Sequence, residues 1–327
     1  MKMPRLSLAM LSSLVMAACL PLASAHAQGF PDKPIKIVVP YSAGGGGDIL
    51  ARMFAEQLKD RLGQPVIVEN KPGAGTLIGS EYVAKSPADG YTLLLTTNSL
   101  LIAPILNASA AKFDPVKDFA PVVPIGSIAI ILVANPSLPA NNAAELVSYL
   151  KKNPCKVSFA SAGAGGITHL SGELFKMRTG VDMVHVPYKG AAPALTDLMG
   201  GQVGLLFDAV ITAYPHVKSG KLKAIGMGNA TRWAGAPDVP TIAESGVPDF
   251  KVSGWYGVLA PAGTPPKVLE RLNAEANAII KDPEFALKLR DKGLTPMGGS
   301  LEQYRATVQE DHATWQKVIK DGNITLQ

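Results

Sequence analysis

Pro40-Tyr41-Ser42-Ala43-Gly44-Gly45-Gly46-Gly47-Asp48 decides how this chain is read. The five residues before it, Ile35-Lys36-Ile37-Val38-Val39, are apolar and β-branched, as in a short buried strand. The residues after it repeat apolar side chains at helical spacing: Ile49, Leu50, Met53, Phe54, Leu58 and Leu62, with Gly63 as the stop. A glycine run between strand and helix lets the backbone take positive φ and approach a ligand with no Cβ in the way. Its amides and the free N–H groups of the helix start then form a positively polarised concavity for an anion. A second stretch, Ser161-Ala162-Gly163-Ala164-Gly165-Gly166-Ile167-Thr168-His169, repeats the design in mid-chain. The two loops are expected to form the halves of a carboxylate-binding site.

Working outward, strand and helix patterns alternate. Pro65–Glu69 and Tyr91–Thr96 are expected strands, with a helix entered through Asn70-Lys71-Pro72-Gly73-Ala74-Gly75-Thr76 between them. Ile128–Val133, Lys156–Ala160, Val181–Val186, Val203–Phe207 and Leu222–Met227 are further strands, with helices at 145–152, 170–179 and 193–199. Val252–Ala260 reads as a strand returning to the first unit, and helices fill 266–281, 283–292 and 301–320. The pattern predicts an α/β fold of two lobes, each a mainly parallel sheet flanked by helices, joined by two crossover strands. The expected division is a leader over 1–27, one lobe from 28–130 plus 254–327, and a second from 131–253. Ligand then belongs in the cleft between the lobes, at the carboxyl ends of strands.

The leader follows from Lys2 and Arg5, the apolar run Leu6–Leu20, and the A-x-A site Ala25-His26-Ala27. It predicts export to the periplasm, with lipid anchoring at Cys19 as the lesser alternative. Of 31 basic residues, 29 remain after Lys2 and Arg5 are removed, against 26 acidic ones, and they are scattered. A basic stripe for nucleic acid is missing. Only Cys155 survives processing, so the folded chain relies on its apolar core, not on a disulfide.

Several motifs together resemble the periplasmic receptors of tripartite tricarboxylate transporters, the Bug or TctC-like family. They are Val39-Pro40 with Ala43-Gly44-Gly45, Asp48 and Ala51-Arg52; Val68-Glu69-Asn70-Lys71-Pro72-Gly73-Ala74-Gly75; and Asp89-Gly90-Tyr91-Thr92-Leu93. Ser161-x-Gly163-x-Gly165 with His169-Leu170, Val186-Pro187-Tyr188-Lys189-Gly190, Val239-Pro240-Thr241 and Trp255-x-Gly257 complete the set across the mature chain. The resemblance implies a type II periplasmic-binding-protein fold closing on a small mono- or dicarboxylate. It also implies delivery to a membrane permease or a sensor, by a monomer without cofactor or metal. Four positions depart from the family pattern. Gly166 stands where serine is common, which hands a hydroxyl role to Thr168. Gly46 and Gly47 replace side chains, and Cys155 replaces a glycine.

The expected ligand-binding set is Tyr41 to Asp48 in the first loop, Asn98 at a strand end, Ser161, Gly163, Gly165, Gly166, Thr168 and His169 in the second loop, and Asp208. Asp48 is expected to cap the helix, orient the loop or meet a ligand amine. His169 either donates to ligand or braces its loop, and His185 and His216 share no metal spacing with it. Asn98 and Ser99 follow a strand end of the first lobe. Asp208 ends a strand at the cleft, with ligand contact and a turn or cap equally open. Tyr41 and Trp255 are cleft walls or simple packing. Ser42 lacks a nearby histidine, and no G-x-S-x-G elbow occurs. A secreted α/β transferase or hydrolase acting on a carboxylated substrate is the second reading. The lack of a nucleophile–base pair, a metal cluster and a longer phosphate loop counts against it.

Overall fold

The structure is a computed structural model that describes residues 29–322 together with 324 and 325; the expected leader over 1–27 lies outside the described residues. In chain order the first elements are β1 (Ile35–Val39), α1 (Gly46–Leu62), β2 (Val66–Asn70), α2 (Leu77–Ala84), β3 (Thr92–Thr97), α3 (Ser99–Leu106) and β4 (Phe119–Ile128). Next come β5 (Ile130–Ala134), α4 (Ala143–Lys152), β6 (Ser158–Ser161), α5 (Ile167–Thr179), β7 (Val184–Pro187), α6 (Ala191–Met199), β8 (Leu205–Ala209), α7 (Val210–Lys218) and β9 (Lys223–Met227). The chain ends with β10 (Gly254–Pro261), α8 (Pro266–Lys281), α9 (Pro283–Asp291), β11 (Leu294–Pro296) and α10 (Leu301–Asp321).

These elements build two lobes. One sheet has the order β11-β4-β10-β3-β1-β2, the other β7-β6-β8-β5-β9. Both are mixed, which corrects the mainly parallel expectation. β1 pairs parallel with β2 and β3, but β10 runs antiparallel to β3 and β4. In the second sheet β6 is parallel to β7 and β8, whereas β5 is antiparallel to β8 and β9. The reason is topological: a strand that crosses between lobes and a strand that returns must run in opposite senses.

The expected strand over 128–133 is in fact two strands. β4 ends at Ile128 in the first sheet, β5 starts at Ile130 in the second, and Ala129 is the single residue between them. The path back runs beside this point, where Gly228 N–H donates to Ile130 O and Val252 N–H donates to Gly228 O, before β10 begins. One buried apolar cluster continues from Ile35 and Leu50 through Ile128 and Ile130 to Phe159 and Phe207, so the hinge is packed.

Local chemistry accounts for the edges of the elements. Gly63 ends α1 in the left-handed region (φ 67°) with its N–H on Lys59 O, a C-cap that glycine makes without Cβ strain. β4, a ten-residue strand absent from the sequence reading, carries Pro121 and Pro124. They face Leu259 and Gly257, next to two register shifts that accommodate a strand lacking those N–H donors. Pro104 and Pro215 likewise lie inside α3 and α7, two helices the pattern did not reveal.

Candidate functional site

The first glycine loop does what its composition demands. Gly45 takes the N-cap position of α1 in an extended conformation with no side-chain cap, so the first amides of the helix stay open. A Cβ at Gly46 would stand 2.5 Å from the Tyr256 hydroxyl and 2.9 Å from Ile211 Cγ2. That position must be glycine for α1 to start this close to β10 and α7. Asp48 is not the N-cap. It sits in the first turn, accepts from Gly44 N–H (2.9 Å) and pairs with Arg52 (2.9 Å). Burial raises its pKa, but Arg52, the Gly44 amide and Asn70 outweigh that and hold it below the usual carboxylate value. It is a brace for the loop.

The second loop is built alike. Gly166 is the uncapped N-cap of α5. A Cβ there would meet Ser99 Oγ at 3.1 Å, so a hydroxyl from the other lobe occupies the space that a serine at 166 would need. Gly165 N–H donates to His169 Nδ1 (3.2 Å), and His169 stacks on His185 with centroids 4.0 Å apart. His185 in turn stacks on Phe159 at 4.9 Å. Burial pushes His169 down to about 4, with Lys176 adding to it, and His185 down to about 3, with His169 and Lys176 adding to it. The pair is neutral at physiological pH, as an Nδ1 acceptor requires.

A serine–histidine contact is present after all: Ser161 Oγ lies 2.7 Å from His185 Nε2. Ser161 is 0% exposed, accepts from Gly163 N–H, and does not reach the cleft. It shapes the loop from beneath.

Between the loops lies a cleft holding about 530 Å³ of space free of protein atoms, counting the part open to solvent. Its walls gather six helix starts: Gly46 of α1, Thr76 before α2, Ser99 of α3, Ile167 of α5, Ala191 of α6 and Ala209 before α7. None of the six is capped by the side chain of its own N-cap residue, although Thr97 Oγ1 accepts from Ser99 N–H and Ser99 Oγ from Ile167 N–H. Of the four helices that start elsewhere, α4, α9 and α10 are capped by Asn142, Asp282 and Ser300, while α8 opens on Pro265-Pro266 without a side-chain cap. Uncapped N–H groups and aligned dipoles make the cleft attractive to anions.

Hydroxyls reinforce it. Tyr41 Oη lies 2.8 Å from Thr97 Oγ1, which donates to Ser99 Oγ (2.9 Å). Ser99 Oγ also accepts from Ile167 N–H across the lobes (3.3 Å), leaving its own proton for the cleft. Thr168 Oγ1 accepts from Ala162 N–H (2.9 Å) and is left in the same position. Thr76 is a β-branched residue at φ 93°, a strained conformation that surrounding structure must impose. Its buried hydroxyl has no partner and lines the cleft. Among the described residues no three His, Cys, Asp or Glu side chains come together as metal ligands.

The lobes touch across this cleft. Ser42 N–H donates to Lys189 O (3.0 Å), and Gly75 (φ 65°) packs so closely on Ala164 that an added Cβ would overlap its carbonyl oxygen. Behind the hinge, Trp233 Nε1 donates to Arg290 O (3.2 Å).

The profile of the family described as "Tripartite tricarboxylate transporter family receptor" matches residues 50–324. The chain belongs to that family. This receptor is also similar to three solved structures. The periplasmic binding protein BugD is 36% identical with a TM-score of 0.87, covering 91% of this chain and 100% of that one. Rpa4515 of R. palustris, solved with adipate, is 36% identical with a TM-score of 0.88, covering 90% and 99%. MatC from Rhodopseudomonas palustris, with bound malate, is 31% identical with a TM-score of 0.84, covering 89% and 100%. The two-lobe periplasmic-binding-protein fold is thereby shown.

Of the residues expected at the receptor's site, Tyr41, Gly45, Gly46, Gly47, Gly163, Gly166, Thr168 and Asp208 line the cleft. Ser42, Ala43, Gly44, Asp48, Asn98, Ser161, Gly165 and His169 do not. Gly44, Asp48, Ser161, Gly165 and His169 form the loop braces described above. Asn98 Nδ2 reaches Ser253 O (3.4 Å) under the cleft. Trp255 is no wall: it donates to Asp311 (2.6 Å) and stacks edge-on with Tyr304, while its neighbour Tyr256 takes the cleft. Gly75, Thr76, Thr97 and Tyr256 were missed. For Gly75-Thr76 the signal was the Pro72-Gly73-Ala74-Gly75 turn, read only as a helix entry. Cys155 sits at φ 57°, a left-handed conformation that glycine adopts without Cβ strain.

Proposed function

We propose that this receptor captures a small organic mono- or dicarboxylate in the interlobe cleft and delivers it to a membrane permease of the tripartite tricarboxylate type. One observation carries the proposal: six helix starts not capped by their own N-cap side chains converge on a single cleft. Amides ordered in this way gain most from a charged acceptor. The adipate in Rpa4515 and the malate in MatC support the same ligand class. The ligand's carboxylate meets the amides of Gly46 and Gly47 in the first loop and of Thr168 in the second, together with the hydroxyls of Thr76, Ser99 and Thr168. Residues 28–130 with 254–327 act as one closing body and 131–253 as the other. Function is in the periplasm, after a leader ending at Ala27 is removed. The receptor binds without turnover.

A thermal-shift screen against small carboxylates tests this. A ligand at 100 times its Kd adds roughly 2.7 kcal/mol to stability, well above the detection limit. Calorimetry then compares the best acid with its methyl ester, which is expected not to bind. Equal affinity for acid and ester overturns the anion site, and conversion of the acid to a product would favour an enzyme.

A further inference from the structure

An acidic side chain stands in the middle of this anion site. Asp208, the fourth residue of β8, is 3% exposed and lines the cleft. The N-terminus of α7 begins two residues later, but among the described residues no Lys, Arg or His makes a hydrogen bond or ion pair with it. Its neighbours are Tyr256 from β10, with Tyr41 beyond it, the Thr212 hydroxyl on α7, and Ile131 as register partner on β5. The two tyrosines are the titratable groups on that side; a phenol carries no positive charge in either form, and burial holds Tyr256 well above its ordinary pKa, so it stays neutral. Two carboxylates in one buried cleft, with no cation between them, cannot both stay ionised without a large penalty.

We propose that Asp208 takes up one proton as the ligand's carboxylate enters the cleft, so that affinity for small carboxylates is tied to proton activity. The inference rests on the carboxylate reading of the cleft and names the residue that sets its pH response. The proton comes from solvent and has a defined place. Thr212 Oγ1 lies 2.6 Å from Asp208 Oδ2 and 3.0 Å from Ala209 O, two acceptors for its one proton. Protonated on Oδ2, Asp208 donates to Thr212, and Thr212 turns its own proton onto Ala209 O. Both contacts are then hydrogen bonds, and no charge is left beside the ligand. Burial pushes the Asp208 carboxyl up to about 7, against the lowering effect of Thr212 and the Ala209 amide. An anion in the same cleft raises it further. A raised value in the folded state means that the neutral form is favoured, fully so at low pH, and that this advantage is lost as pH rises through about 7.

The test is calorimetry with adipate, malate and succinate from pH 5.5 to 8.5, in buffers of different ionisation enthalpy. The expected results are a dependence of the heat on buffer that reports proton uptake near pH 8, and an affinity about tenfold weaker at pH 8 than at pH 6. Asp208→Asn, a neutral isostere, is expected to flatten the profile and bind about tenfold more tightly than wild type at pH 8. Binding with no buffer dependence and parallel profiles for both proteins overturns the proposal and leaves the carboxylate receptor standing. Asp208→Asn losing affinity only for an ammonium-bearing acid such as β-alanine also overturns it, by making Asp208 a counter-ion. No binding of any carboxylate removes the underlying function as well. If the variant does not fold, the wild-type buffer series still decides.

Discussion

Gly75→Ala is the most direct probe of closure. At φ 65° this residue presses its backbone against Ala164 of the other lobe, and an added Cβ would overlap that carbonyl oxygen. An ordinary carbon–oxygen contact closes near roughly 3.3 Å, so the loops must part by about 1 Å. The obstacle is backbone on both sides and cannot rotate away. Two costs follow and can be separated. Alanine in the left-handed region costs about 1 kcal/mol, which lowers Tm by roughly 2–4 °C. Held-apart lobes also lose ligand bonds made by the second loop. Two charge-assisted bonds of about 2 kcal/mol each amount to an affinity loss of about a thousandfold. Gly63→Ala is the control, because it has the same φ (67°) with nothing within 4 Å of the added Cβ. It is expected to share the drop in Tm and leave affinity alone. Calorimetry measures affinity, and small-angle scattering with saturating carboxylate measures closure. Wild-type affinity in Gly75→Ala, with the same compact dimensions, would refute the reasoning.

Thr76→Gly relieves a strained φ of 93° and removes an unpartnered hydroxyl, so stability is expected to hold while affinity falls about tenfold by calorimetry. His169 and His185 are expected to stay neutral until pH falls to about 4 and about 3. With folded values below the unfolded one near 6.5, their contribution is full above that pH and is lost as pH drops through the folded values; imidazole titration by NMR and melts from pH 3 to 7 check this. Trp233→Phe is expected to remove most of the fluorescence change on closure, and Trp255→Phe to leave it, because Trp233 spans the two lobes and Trp255 is buried in one. Terminal sequencing of the exported protein is expected to start at Gln28, and a lipid-modified Cys19 would contradict it.

The glycine loops were legible because their chemistry is local. A buried strand, a glycine run and an apolar helical stripe need no tertiary information to be recognised. What depends on phase or on distant neighbours was not legible. β10 is buried at all eight positions, so no alternation of polar and apolar residues says that Tyr256, and not Trp255, faces the cleft. β4 is hidden because Pro121 and Pro124 look like breakers until its bulged pairing with β10 is seen. Thr76 owes its role to a φ angle that no side chain announces. His169 and His185 are sixteen positions apart, and they stack only because β7 lies parallel to β6 while α5 returns over both. Asp48 misled in a simple way. An acid at a helix start suggests a cap, but the last extended residue is Gly45, and Asp48 reaches back from the first turn.

The interlobe contacts also bear on how a ligand controls the receptor. Few hydrogen bonds cross the cleft, notably Ser42 N–H to Lys189 O and Ile167 N–H to Ser99 Oγ, with Trp233 to Arg290 behind the hinge. Neutral bonds contribute about 1 kcal/mol each, and the uncapped amides on both sides favour staying hydrated. Closure therefore rests on a small difference. Moving such an equilibrium from about 1:99 to 99:1 takes roughly 5.5 kcal/mol of differential affinity. Two or three charge-assisted bonds made only in the closed state, at about 2 kcal/mol each, supply that amount. A carboxylate reaching both the 45–47 and 163–168 loops makes such bonds, whereas one held by a single loop leaves the equilibrium unchanged. The length and second end of the ligand thus decide closure as much as affinity does. A monocarboxylate too short to span the loops is expected to bind weakly and leave the radius of gyration at its ligand-free value.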